Sequence, residues 1–75
     1  MIGVECLFSN DGRCQVRRIE IEGQWFPVEQ GRQWLDQQGR HVLVRIPGRP
    51  VQEIVLRPDT LTWMVINGRS DVQLV

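Results

Sequence analysis

Val42-Leu43-Val44, Ile54-Val55-Leu56 and Trp63-Met64-Val65-Ile66 are three apolar runs that fail to alternate. A strand with one wet face reads apolar-polar, because successive side chains point to opposite sides of the sheet. If Val42, Val44, Ile54, Leu56, Trp63 and Val65 face a core, then Leu43, Val55, Met64 and Ile66 face away from it. The runs are short, rich in β-branched residues and bounded by Gly39, Pro47-Gly48-Arg49-Pro50, Pro58-Asp59 and Asn67-Gly68, which makes them strands rather than helices. They need cover on both faces. One outcome is an exposed apolar patch of Leu43, Val55, Met64 and Ile66 that meets a partner protein or a second copy of the chain. The other is a small closed barrel that buries both faces locally.

Working outward, the same pattern covers the whole chain. Turn signals at Asn10-Asp11-Gly12, Glu22-Gly23 and Asp36-Gln37-Gln38-Gly39 join those above, at a spacing of roughly ten residues that suits a small barrel or sandwich. Strands are expected at about 2–8, 13–22, 25–28, 40–46, 51–57 and 60–66. The Asn67-Gly68 turn is expected to fold a short strand at 71–75 back onto 60–66. Cys14 and Val16 share one parity while Ile19 and Ile21 share the other, so a β-bulge is expected at Arg17-Arg18. Residues 30–35 suit a single turn of helix, which Gly31 weakens. The expected fold is therefore one all-β domain over residues 1–75. It is a small antiparallel barrel or strongly bent sheet of SH3-like roll type, with five to seven short strands.

Composition narrows the chemistry. The 75 residues hold nine basic and nine acidic side chains, for zero formal charge. That balance removes the electrostatic case for anionic membranes and weakens it for nucleic acid. All nine basic residues are arginine. This suits planar recognition of carboxylate or phosphate, although a genome rich in G and C explains the same usage. No stretch approaches a membrane span and the N-terminus lacks signal-peptide features, so a cytoplasmic protein is expected. The Asn10-Asp11-Gly12 turn sets Phe8 or Ser9 opposite Cys14 and leaves Cys6 one pair further out, which favours free thiols. Two cysteines and one histidine fall short of a structural zinc set. No metal and no cofactor is expected.

His41, with Asp36 nearby across a turn, lacks a nucleophile placed by any motif and reads as an ordinary surface histidine. Glu20 and Glu22 read as a solvated strand face, since a hard cation wants more oxygen ligands than two. Five Gly-Arg pairs recur at turns, where glycine supplies the backbone conformation. Trp63 belongs to the core. Trp25 and Trp34 either seal the ends of the fold or are exposed beside arginines, where they would stack bases or grip a proline-rich peptide.

The order Ile21-x-Gly23-x-Trp25-x-x-Val28, Trp34, Arg40-x-x-x-Val44, Glu53-x-x-Leu56 and Trp63 resembles a group of short bacterial β domains that carry no assigned function. The resemblance spans roughly residues 12–65 and implies a compact all-β fold, with no activity or site residue.

Two functions follow as expectations. The first is a non-catalytic protein-interaction module, self-associating as a homodimer or docking on another protein through Leu43, Val55, Met64 and Ile66. The alternative is single-stranded nucleic-acid binding through Arg17, Arg18, Arg32 and Arg40 with Trp25 and Trp34. No catalytic residue is assigned.

Overall fold

The computed structural model describes residues 2–66. β1 (Gly3–Phe8), β2 (Cys14–Ile21) and β3 (Gln24–Pro27) form one antiparallel sheet in that order. β4 (Glu29–Asp36), β5 (Gly39–Arg45), β6 (Gln52–Leu56) and β7 (Trp63–Ile66) form a second, again in chain order. There is no helix among the described residues. The all-β expectation holds, but the two sheets do not close into a barrel. Residues 29–36 are strand, not helix. The Asn67-Gly68 turn and the strand expected at 71–75 lie outside the described residues.

Local chemistry explains the joints. Ile21 pairs with Gln24, and the intervening Glu22 and Gly23 both have positive φ, at 51° and 79°. This is the two-residue turn whose twist matches that of paired strands. In β1–β2, Glu5 faces Arg18 while Cys6 faces Val16, which leaves Arg17 as the extra residue of a bulge. That bulge lets Cys14, Val16 and Ile19 all point inward despite their mixed parity.

The core forms between the sheets. Cys14, Val16 and Ile19 of β2 pack with Val42, Val44, Ile54 and Trp63, and Leu56 and Val65 lie against them. The six inward residues expected from the failed alternation are therefore all in or against the core. Their outward neighbours depart from expectation. Leu43 is 1% exposed and Val55 4%, so neither belongs to an exposed patch. β5 and β6 are the two inner strands of their sheet. Val55 sits across from both His41 and Met64, and Leu43 across from Glu53, so cross-strand neighbours hem both side chains. On the outer strand β7, Met64 is exposed and Ile66 half-buried.

Two seams join the sheets. At one, the Ile2 N–H donates to the Trp63 carbonyl at 3.1 Å, forming a single bridge between the start of β1 and β7. At the other, β3 pairs only with Arg18–Ile21, and β2 from Cys14 to Val16 has no strand beside it on that edge. Two glutamine side chains fill the gap. Gln33 accepts from the Cys14 N–H at 2.9 Å and donates to the Cys14 carbonyl at 2.7 Å. Gln30 accepts from the Val16 N–H at 2.7 Å and donates to the same carbonyl at 2.9 Å. Residues 30 and 33 would lie on opposite faces of a regular strand. A bulge between them sets Gln30 across from Val44 and Gln33 across from Val42, both inward-facing positions.

Gly39, which opens β5, has φ 135°, and a Cβ there would sit 2.0 Å from the Leu56 carbonyl oxygen. Gly39→Ala is expected to lower unfolding free energy by at least about 2 kcal/mol, because backbone rather than a flexible side chain must move. Urea denaturation measures it, and a loss within ~0.5 kcal/mol would contradict this packing.

Candidate functional site

Two clusters carry polar chemistry. The first lies on the face of the four-stranded sheet turned away from the core. His41 is 2% exposed, not the surface histidine expected from sequence. Its Nδ1 lies 2.7 Å from Glu53 Oε2 and its Nε2 2.7 Å from Asp36 Oδ1. Trp34 stacks on the ring, with centroids 5.1 Å apart and planes 3° from parallel. The register sets this up, since His41 pairs with Trp34 on one side and Val55 on the other, and Glu53 lies two residues from Val55, on the same face, as a cross-strand diagonal requires. Each ring nitrogen is taken up by a hydrogen bond to a carboxylate oxygen. Neither nitrogen is left free for a further partner, and the cluster ties β4, β5 and β6 together through Asp36, His41 and Glu53.

The hydrogen bond from His41 holds the Asp36 carboxyl below its ordinary 3.8, with the Gln38 N–H contributing further. A carboxylate whose native pKa is depressed stabilises the fold above the unfolded value and loses that contribution as pH falls through the native one. The advantage of the wild-type chain over Asp36→Asn is therefore expected to be full above about pH 5 and to close as pH falls below 3.8. Thermal melts across that range check it. An advantage that persists unchanged at pH 2 would contradict the ionic contact.

The second cluster is an open groove of about 600 Å³ at the glutamine seam. Leu7 and Phe8 of β1, each 52% exposed, both line it, from opposite faces of their strand. Gln30 and Gln33 line it from β4, with the buried Cys14 at the floor and the exposed Arg13 at the rim. Arg40 donates to Gln33 Oε1 at 2.8 Å from behind the seam. Cys6 and Cys14 are both free, and burial, reinforced by the adjacent Cys6, pushes the Cys14 thiol up to about 12. At neutral pH Cys14 is a packed thiol rather than a nucleophile.

The candidate nucleic-acid residues fall into separate places. Arg18 lies over the Trp25 ring at 5.3 Å on the outer face of the three-stranded sheet, and it also pairs with Glu5 at 2.7 Å. Arg32 lies over Trp34 at 5.7 Å on the outer face of the other sheet. Arg40 is half-buried at the seam, and Arg17 is the exposed bulge residue. The structure thus yields two Arg–Trp pairs on different sheets. Among the described residues no group of three or more His, Cys, Asp or Glu side chains is placed to hold a metal ion. No helix among them is long and apolar enough to cross a membrane.

Sequence reasoning set Asp36 near His41 but took the histidine as a surface residue, and it missed Glu53 and the groove. The one local signal for the groove is Gly31 inside the strand Gln30-Gly31-Arg32-Gln33, since a glycine in a strand often marks a bulge. No protein-family model matches this sequence, and no curated protein or solved structure matches it either.

Proposed function

We propose that the chain is a non-catalytic protein-interaction module, a small β roll of SH3-like type, and that it engages its partner at the groove beside Leu7 and Phe8. The observation that carries this reading is the exposure of two adjacent large apolar side chains on a hairpin edge. Both line an open groove that Gln30, Gln33 and Arg13 line as well. Apolar anchors beside polar groups that fix orientation are what protein and peptide recognition uses. With Leu43 and Val55 buried, this edge replaces the sheet face as the apolar surface the reading rests on.

The partner is either a second copy or another protein. Light scattering behind size exclusion, over a concentration series, separates the two. A mass rising above 8.8 kDa in the wild-type chain but not in Phe8→Glu means self-association through this edge. If the wild-type chain stays monomeric, proteins retained by the immobilised chain are expected to be lost with Phe8→Glu, which sits at an exposed position and leaves the fold intact. Association or retention equal in the two chains would contradict the proposal.

A further inference from the structure

The groove has an electrostatic character that its apolar rim does not announce. None of the side chains that line it is a carboxylate. Two guanidinium groups attend it, Arg13 at the rim and Arg40 behind Gln33. Arg18, Arg45 and Arg57 each have a carboxylate within 4 Å, whereas among the described residues Arg13 and Arg40 have none. Asp11, two residues before Arg13, accepts from the Ser9 hydroxyl and the Arg13 main-chain N–H, and the Arg13 charge also acts on it, so Arg13 is partly offset without a direct ion pair. The field of Arg40 reaches the groove floor, where it acts on the Cys14 thiol against the effect of burial.

Resting on the interaction reading above, we infer that the groove takes an extended peptide segment in which apolar side chains alternate with carboxylates. The apolar side chain packs on Phe8, which shares the Cys14 face of the hairpin, and the carboxylate faces Arg13, with Arg40 adding attraction from behind the glutamines. An extended segment suits the place because side chains two apart on a strand fall on one side, so one apolar face and one acidic face run together along the groove. A nucleic acid would also answer to two arginines. The exposed Leu7 and Phe8 and the zero net charge favour a peptide over a polyanion.

The experiment titrates the isotope-labelled full chain with three probes and follows its amide resonances. The probes are a capped six-residue peptide of alternating leucine and glutamate, its leucine–glutamine counterpart, and a single-stranded oligothymidine. The acidic peptide is expected to shift the Cys14 and Gln15 amides and the side-chain NH₂ signals of Gln30 and Gln33. Replacing its glutamates by glutamine is expected to weaken binding about threefold to fivefold, as is Arg13→Gln in the chain, the size of an exposed ion pair. If both peptides shift the same signals with equal affinity, the groove still binds peptides and only the acidic preference is overturned. If neither peptide shifts them, the inference fails, and the Phe8→Glu comparison decides separately whether the interaction reading survives. Tighter binding of the oligothymidine would overturn the inference in favour of phosphate.

Discussion

Two glutamine side chains complete the edge of a strand that has lost its neighbour, and the shape of the molecule depends on them. β2 is eight residues long, but β3 pairs with only its last four. Beyond that point the main-chain groups of Cys14 and Val16 point into a half-buried seam. Leaving such groups unmatched costs about 1–3 kcal/mol each. Gln30 and Gln33 meet them with four hydrogen bonds between 2.7 and 2.9 Å. The side-chain amide carries the same donor and acceptor as a peptide group, so it can stand where a strand would have stood. Because a side chain is longer than a direct strand contact, the sheets stay apart there, and the groove is the space that remains.

The second face of the four-stranded sheet follows a different logic. It combines buried leucine and valine with a histidine held by two carboxylates. Removing charges from water is costly, and such a cluster adds little net stability unless its geometry is good. Here both ring nitrogens are matched at 2.7 Å and the ring is stacked on Trp34. The arrangement ties β4, β5 and β6 to one register, since a slip by one residue would turn His41 into the apolar core.

Much of the scaffold was legible because it is written in local pattern. The parity of Val42, Val44, Ile54, Leu56, Trp63 and Val65 named the inward face, the parity change at Arg17 named the bulge, and Glu22-Gly23 named a tight turn. Beyond the nearness of Asp36 to His41, the candidate sites were not legible, for a physical reason. Gln33 meets Cys14 across 19 residues and His41 meets Glu53 across 12, and no period or motif encodes a contact of that range. Gly31 was the sole clue to the seam, and a glycine amid Gln and Arg fits a weak helical turn as well as a bulged strand. The exposed patch failed for a related reason. Alternation tells which way Leu43 and Val55 point, but only the order of strands tells that β5 and β6 are flanked on both sides.

The central claim is that the Gln30 and Gln33 amides act as a substitute strand on the edge of β2. Hydrogen exchange at single amides tests it most directly, in the wild-type chain, Gln30→Ala and Gln33→Ala under conditions where all three are folded. The account predicts that Val16 loses protection in Gln30→Ala and Cys14 in Gln33→Ala, while the Gln15 amide, which faces β1, stays protected in both. Unchanged protection of Cys14 and Val16 in the respective variants would contradict it.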